Sequence, residues 1–392
     1  MKIDNNKIEN EIHKIYNNLH DINTTDVSLI FGLSGLFLFA FEYEKKFKVK
    51  IKLSDKFLDS IVSNVNDLKK TSYSEGLAGV GWVLSEYYNS KNINCNEFLE
   101  DFDEIITLNL DQYLKNKDFD FLHGAIGLGN YFLKRKEKKN IEKIIISLRD
   151  NCKKDEKGIR WSSFLYKNGD SHEVEELSLS HGLGSILVFL CESKKILKNK
   201  IEVTKDINEI VKFILFYMKI NKENSFNSIF PDTIRVQNKE QEYNSRLAWC
   251  IGDLGIAYSL LKASIVLKDF DLYILSIKIA KDCSLRKKRD LSNVIDAELC
   301  HGSSGLYLLF NEFYLITKIR LFKTTSLFWL KRTINLSKNK SFFCGYKIYG
   351  GQKEGWVSEY GFLSGVSGIG LAYLDFVNQK SKHNWKQTLL IY

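Results

Sequence analysis

A cysteine and a histidine stand next to each other at one place in the chain, and a second cysteine stands at a matching place upstream. Cys300 and His301 lie in the stretch CHGSSG, and Cys250 lies in SRLAWCIGDLG. Two thiolates and one imidazole are ligands that Zn²⁺ prefers, and a tetrahedral ion would keep a fourth position open for water or substrate. The sequence therefore indicates a zinc site if the two stretches meet in the fold. If they do not meet, the two cysteines are more simply small residues of the core.

Three further side chains occupy related places and could move or stabilise charge. His181 begins the stretch HGLGS and could donate or accept a proton, although a histidine there can also cap a helix. Asp120 lies shortly before HGAIGLG and could orient a histidine or act as a base, although capping is the simpler role. Arg246, four residues before Cys250, could stabilise developing negative charge or be an ordinary surface arginine.

The elements that must position these side chains are helices that follow glycine turns. A Gly-x-x-Gly-like turn opens an apolar helical stretch seven times. The first glycines of these turns are Gly32, Gly76, Gly124, Gly182, Gly252, Gly302 and Gly365. The segments between the turns have apolar residues at helical spacing, whereas alternating strand patterns are scarce, the best one surrounding Pro231.

This pattern predicts an all-α protein. We expect an α/α toroid of about seven helical-hairpin repeats with the Gly-rich turns gathered on one face, forming a single domain over residues 1–392. An open solenoid of helical hairpins is the alternative, because a repeat period alone does not show closure. The long interval between the fourth and fifth turns, at residues 226–244, is expected to form a rim insertion that shapes a binding groove.

Composition narrows the class of protein and its location. The net charge of +9 comes from 57 basic and 48 acidic residues spread along the chain, which suits an acidic peptide or another anionic partner. No basic stripe or RNA-binding motif is present, so we expect no nucleic-acid binding. The longest apolar stretch, residues 29–41, is shorter than the ~20 residues of a membrane span. With no signal sequence and seven scattered cysteines, we expect a cytoplasmic protein without a transmembrane segment or disulfide framework.

Together, these motifs resemble those of the lanthionine synthetase C family, the cyclases that close thioether rings in lanthipeptides. The resemblance rests on SLSHGLGS, SRLAWCIGDLG, CHGSSG and FLSGVSGIGLAYL, and the glycine turns extend it over residues 32–373. The zinc ligands that it implies are Cys250, Cys300 and His301. The acid–base candidates that it implies are His181 and Asp120, with Arg246 nearby.

The sequence departs from the family pattern at three places. Ser185 stands where the second glycine of His-Gly-x-x-Gly is expected, and His123 replaces a more typical acidic residue. Asp253 and Leu254 replace a turn that usually contains proline. All three departures affect loop geometry rather than the implied zinc ligands.

The resemblance also implies an activity and its partners. The enzyme would add peptide cysteine thiols to dehydroalanine or dehydrobutyrine and so form lanthionine or methyllanthionine rings. Its expected partners are a dehydrated precursor peptide and a separate dehydratase, since the chain starts at a methionine and has no dehydratase domain. Two alternatives stay open: a non-catalytic thiol- or peptide-binding protein, such as a glutathione binder, and a zinc-dependent enzyme similar to prenyltransferases.

Overall fold

The structure is a computed structural model that describes residues 3–50, 52–94, 96–167, 170–198, 200–219, 228–238, 240–378 and 384–392. The α-helices in chain order are α1 (Asn5–Asn18), α2 (Leu33–Phe47), α3 (Leu53–Asn64), α4 (Leu77–Ser90), α5 (Asn96–Lys115), α6 (Ala125–Arg135), α7 (Lys138–Asn151), α8 (Leu183–Ile196), α9 (Lys200–Phe216), α10 (Asp253–Leu267), α11 (Phe270–Cys283), α12 (Arg289–Ser292), α13 (Ser303–Thr317), α14 (Arg320–Asn335) and α15 (Val366–Val377). Short 3-10 helices lie at Leu19–Asp21, Val65–Asp67, Phe343–Gly345 and Asn384–Leu389.

Within the described ranges, seven short strands accompany the helices. They are β1 (Lys153–Asp155), β2 (Gly158–Arg160), β3 (Ser163–Lys167), β4 (Asp170–Glu176), β5 (Thr233–Arg235), β6 (Ile348–Tyr349) and β7 (Trp356–Val357). They form three antiparallel sheets in the orders β1-β2, β3-β4-β5 and β6-β7. The helices therefore dominate as expected, and the strands add small sheets in the connections between them.

Each of the seven glycine turns leads directly into a helix, as predicted. Helices α2, α4, α6, α8, α10, α13 and α15 all begin one residue after the first glycine of a turn. Gly252 shows the physical reason, because its φ is 124° and an added Cβ would lie 2.2 Å from the carbonyl oxygen of Arg246. A residue with a side chain would be strained there.

The described chain comprises two compact units, and the first to consider is the unit of residues 104–293. Its helices pack as the hairpins α6–α7, α8–α9 and α10–α11. The turn-following helix α8 also packs against α6 and α10, so these three lie side by side. In α10 every residue from Asp253 to Ser264 is buried, which is typical of an inner helix. The partner helix α7 buries one apolar stripe, from Ile141 to Leu148.

The other unit consists of residues 1–103 and 294–392. It contains the hairpins α2–α3 and α13–α14, and α15 packs against α1, α2 and α13. The C-terminal 3-10 helix is fixed by Lys386, whose ammonium group lies 3.2 Å from the carboxylate of Asp375 and also pairs with Glu312. The prediction of a single domain over residues 1–392 stays a prediction.

The region between α9 and α10 agrees in part with the sequence analysis. Strand β5 lies just after Pro231, where the sequence has its best strand pattern, and pairs with β4. The predicted rim insertion of residues 226–244 lies partly outside the described residues. Across the described ranges, we find no helix with the length and apolar character that crossing a bilayer requires.

Candidate metal ligands and proton-transfer residues

Asp120 and His181 are brought together in the unit of residues 104–293. Nδ1 of His181 lies 2.6 Å from Oδ2 of Asp120. The two residues lie in the turns before α6 and α8, helices that pack side by side. The other carboxylate oxygen of Asp120 accepts a hydrogen bond from the backbone N–H of His123 at 2.7 Å. The backbone N–H of His181 donates to Oγ of Ser178 at 3.1 Å. Asp120 is therefore placed to orient the ring of His181.

Asp120 also governs the charge of His181. Burial by itself would lower the pKa of His181, but the hydrogen bond and the negative charge of Asp120 outweigh it and raise the pKa to about 9. The charges of Glu176 and Cys250 act in the same direction as that of Asp120. The side chain of His181 is 34% exposed, so a ligand can reach it. At neutral pH the ring is a protonated, accessible acid.

The turn before α10 carries Arg246 and Cys250. Cys250 is buried, and its carbonyl oxygen accepts a hydrogen bond from the backbone N–H of Leu179 at 3.1 Å. This bond joins the turn before α10 to the turn that carries His181, so within this unit the two turns share a face. Arg246 is half-buried. Burial raises the pKa of Asp232 to about 6, and the positive charge of Arg246 partly opposes this rise.

Two of the departures from the family pattern, at Asp253 and at Ser185, have hydrogen-bond partners in the structure. Asp253 is completely buried and accepts hydrogen bonds from the backbone N–H groups of Ile229 and Phe230, both at 2.9 Å. Its carboxylate also lies 3.0 Å from the guanidinium group of Arg286. The hydroxyl of Ser185 donates to the carbonyl oxygen of the first glycine in its own turn at 2.7 Å. These contacts stabilise the turns without the residues that the family pattern leads one to expect.

The turn before α13, in the unit of residues 1–103 and 294–392, carries Cys300 and His301. Nδ1 of His301 lies 2.7 Å from Oε1 of Glu298, a residue with no exposed surface. The same oxygen accepts the backbone N–H of His301 at 3.1 Å. The backbone N–H of Cys300 donates to the carbonyl oxygen of Leu363 at 3.2 Å, which ties this turn to the one before α15. With Glu298 at Nδ1, Nε2 is the ring nitrogen that could bind a metal ion, an arrangement common among histidine ligands.

Among the residues that the structure describes, two groups of side chains could hold a metal ion by the nature of their donor atoms. Cys250, Cys300 and His301 offer two thiols and one imidazole, which suit Zn²⁺. Asp296, Glu298 and His301 offer two carboxylates and the same imidazole, and their ligand atoms lie within 4.8 Å of one another. Because Glu298 already contacts His301 at Nδ1, the carboxylates fit the role of orienting the imidazole.

The other described cysteines differ in character from these candidates. The six described cysteines form no disulfide bond with one another, and Cys95 lies outside the described residues. Burial raises the pKa of Cys191 and of Cys344 to about 12. Both are therefore inert core thiols rather than reactive groups.

The sequence analysis missed several carboxylates beside the candidate residues. Glu298 could have been found, because an acidic residue three positions before a histidine in a turn can reach back to it. Glu176 is the last residue of β4, and Asp232 immediately precedes β5, the strand that pairs with β4. No short motif indicates that pairing.

Comparison with known proteins decides the family. The model of the lanthionine synthetase C-like protein family matches residues 23–390 of this chain. The chain belongs to the lanthionine synthetase C-like family. The nisin biosynthesis protein NisC of Lactococcus lactis subsp. lactis is 24% identical over 407 residues, which cover 96% of this chain and 91% of NisC.

A solved structure supports the same assignment at the level of fold. The structure of a nisin cyclase matches with a TM-score of 0.78 at 20% identity, over 98% of this chain and 97% of the other. This lanthionine synthetase C-like chain therefore has the fold of that structure, an α/α toroid. The predicted family and fold class are both confirmed.

Proposed function

We propose that this lanthionine synthetase C-like chain is a cyclase that forms lanthionine and methyllanthionine rings. The family match over residues 23–390 carries the proposal, and a similar protein is named for nisin biosynthesis. In the reaction, a cysteine thiol of a peptide adds to the β-carbon of a dehydroalanine or dehydrobutyrine in the same peptide. The S–H bond breaks, a C–S bond forms, and the α-carbon gains a proton.

We also propose that Cys250, Cys300 and His301 hold a zinc ion. The donor types support this assignment, as does the contact of 2.7 Å between His301 and Glu298, which would present Nε2 to the ion. When bound, the ion supplies positive charge that lowers the pKa of a peptide thiol. The two protein thiolates would balance that charge, so that the peptide sulfur keeps its nucleophilic electron density.

His181 is the proposed proton donor to the α-carbon. Its pKa of about 9 keeps it protonated at neutral pH, and Asp120 at 2.6 Å holds its ring in one orientation. Asp120 also stabilises the imidazolium before the proton leaves. Arg246, on the turn that carries Cys250, would stabilise the negative charge that develops on the carbonyl oxygen next to the α-carbon.

The proposed substrate is a dehydrated precursor peptide, and the proposed partner is a separate dehydratase. The acceptor double bond arises when serine or threonine loses water, so a dehydratase must act before this enzyme. The net charge of +9 favours a peptide with acidic residues. We propose that both steps take place in the cytoplasm.

The test counts peptide thiols, because ring closure leaves the mass of the peptide unchanged. A dehydrated, cysteine-containing peptide is incubated with the protein, the remaining thiols are alkylated, and the product is weighed by mass spectrometry. The wild type should protect thiols from alkylation, and Cys300→Ala should not. Cys152→Ala is the matched control, because Cys152 is a half-buried thiol outside the proposed ligand set. A wild type that binds the peptide but leaves every thiol alkylatable would refute the cyclase and favour the binding protein.

A further inference from the structure

The C-terminal segment, residues 384–392, is buried in the unit of residues 1–103 and 294–392 and has no role in the mechanism above. Trp385 and Leu390 have no exposed surface. Leu390 has a φ of 56°, in the left-handed region that residues other than glycine rarely adopt. A strained residue keeps one conformation only where its surroundings fix it, so the contacts of this segment call for an explanation.

Lys386 anchors the segment to two helices that follow glycine turns. Its ammonium group lies 3.2 Å from Oδ1 of Asp375, on α15, and also pairs with the carboxylate of Glu312, on α13. The other oxygen of Asp375 accepts the hydroxyl of Tyr307 at 2.9 Å and the side-chain amide of Asn311 at 3.2 Å, both on α13. Burial would lower the pKa of Lys386, but Asp375 and Glu312 outweigh it and raise the pKa, so the ammonium group stays charged. The segment therefore joins α13 to α15 through a buried network of charges.

Trp385 contacts the turn before α15. Its ring meets that of Phe362 edge to face, with the centroids 6.3 Å apart and the ring planes at 90°, a geometry that aromatic pairs favour. The backbone N–H of Phe362 donates to the carbonyl oxygen of Ile30 at 2.7 Å. A Cβ added to Gly35, on α2, would lie 2.6 Å from the Cβ of Phe362. Phe362 is thus held by α2 and by the ring of Trp385.

The residue after Phe362 supports the turn that carries Cys300. The carbonyl oxygen of Leu363 accepts the backbone N–H groups of Leu299 at 3.1 Å and of Cys300 at 3.2 Å. The side chain of Leu299 packs against α15, since a Cβ added to Gly368 would lie 2.6 Å from its Cδ1. The position of this turn therefore depends on where Leu363 and α15 lie, and the C-terminal segment contacts both α15 and the residue before Leu363.

We propose that the C-terminal segment is a positioning element, in which Trp385 and Lys386 hold the turn before α13 in the shape that binds a metal ion. The inference rests on the proposed zinc site, to which this turn contributes Cys300 and His301. Lys386 fixes α13, which begins just after the turn, against α15. Trp385 fixes the turn before α15 through Phe362. Ligands that are already in place bind a metal ion more tightly, because less conformational freedom is lost on binding.

The first test measures the mobility of the turn in the full-length protein after removal of metal by a chelator. Hydrogen exchange of the backbone amides of Leu299 and Cys300, which donate to Leu363, is followed by NMR. Trp385→Ala removes the ring, so these two amides should exchange about tenfold faster or more, whereas in Trp385→Phe they should stay within about threefold of wild type. Unchanged exchange in Trp385→Ala would overturn the proposal.

A matched control separates this effect from a general loss of stability. Phe57 is a buried aromatic residue on α3, a helix of the same unit that packs against α2, and Phe57→Ala also removes a large ring. The two alanine variants are compared at urea concentrations that give them equal free energies of unfolding. Faster exchange at Leu299 and Cys300 is expected in Trp385→Ala alone. Equal acceleration in both variants would assign the effect to global stability and would overturn the proposal.

Lys386→Met tests the second anchor. It keeps the apolar stem of the side chain and removes the cation that pairs with Glu312 and Asp375, so exchange in the turn should accelerate as it does in Trp385→Ala. Lys205→Met is the matched control, because Lys205 pairs with Glu202 at 3.0 Å on the surface of α9 and should leave the turn unchanged. Wild-type exchange in Lys386→Met would contradict the proposal.

Zinc affinity distinguishes this inference from the proposed function. Competition with a chelator should show an affinity weakened by about tenfold or more in Trp385→Ala and in Lys386→Met, but by less than about threefold in Phe57→Ala and in Lys205→Met. Wild-type affinity in the two test variants would refute the inference and leave the zinc site intact. A wild type that binds no zinc removes the zinc site, and hydrogen exchange then still decides whether the C-terminal segment holds the turn.

Discussion

Replacing Asp253 by alanine should remove a large part of the stability of the unit of residues 104–293. Asp253 has no exposed surface and accepts the backbone N–H groups of Ile229 and Phe230 at 2.9 Å. Its carboxylate pairs with Arg286, which is 5% exposed. Arg286 also donates to the carbonyl oxygens of Ser245 and Leu291. The pair therefore connects the start of α10 to the segment that precedes Arg246.

The size of the effect follows from the charge that would be left behind. Removing one partner of a buried ion pair costs about 3–5 kcal/mol, because the other charge stays buried without compensation. Two backbone N–H groups would lose their acceptor as well, each at about 1–3 kcal/mol. These penalties overlap, since the loop can relax toward water, so we expect about 3–5 kcal/mol in total for Asp253→Ala.

Urea unfolding followed by circular dichroism measures this loss at a constant slope m. A double-mutant cycle supplies the control: Asp253→Asn and Arg286→Met are made singly and together. The double variant should lose less stability than the sum of the losses in the two single variants, by at least about 1.5 kcal/mol, because it contains no unpaired buried charge. A loss below about 1 kcal/mol in Asp253→Ala, or strict additivity in the cycle, would show that the pair is not the coupled buried contact described above.

Four further results are expected. Asp120→Asn should lower the pKa of His181 from about 9 to its ordinary 6.5 or below, so that its protonated fraction at pH 8 falls from about 90% to about 3%, as NMR titration can measure. The pKa of His181 is raised in the folded protein, so the stability contributed by the His181–Asp120 pair is complete below about pH 6.5 and is lost as the pH rises through about 9. Thermal unfolding at a series of pH values should show that loss in the wild type but not in Asp120→Asn. Elemental analysis should find about one zinc per chain in the wild type and in Cys152→Ala but little in Cys300→Ala, and zinc retained by Cys300→Ala would contradict the proposed ligand set. Gly252→Ala should destabilise the protein by about 1–3 kcal/mol in urea unfolding, because Gly252 has a φ of 124° and an added Cβ would lie 2.2 Å from a carbonyl oxygen. Gly351 has a φ of 93°, but an added Cβ there would meet no atom within 4 Å, so Gly351→Ala should cost less.

Much of the helical framework could be predicted from sequence because its signals are local. A glycine turn followed by apolar residues indicates where a helix begins, and all seven such turns do lead into helices. At Gly252 the backbone has a φ of 124°, which residues with a side chain rarely adopt, so a glycine at this position in the sequence indicates a turn. The small strands were harder to predict, because short edge strands such as β1 and β2 depend on pairing rather than on a long alternating pattern.

The same difference between local and long-range signals applies to the residues of the candidate site. Cys250, Cys300, His301 and His181 could be selected from sequence because each stands at a fixed offset from a glycine turn. The bond between His181 and Asp120 joins residues 61 positions apart, and the sequence could only suggest it. Its length of 2.6 Å and its effect on the charge of the ring required the packing of α6 beside α8.

The sequence by itself thus determined where the inner helices start, which family the chain resembles and which residue types could bind zinc. Only the tertiary structure decided which carboxylates surround those residues. Asp253 and Arg286, for example, are 33 positions apart in the sequence. A turn is encoded by the φ and ψ preferences of a few adjacent residues, whereas the charge of a buried group depends on neighbours that folding brings from elsewhere in the chain.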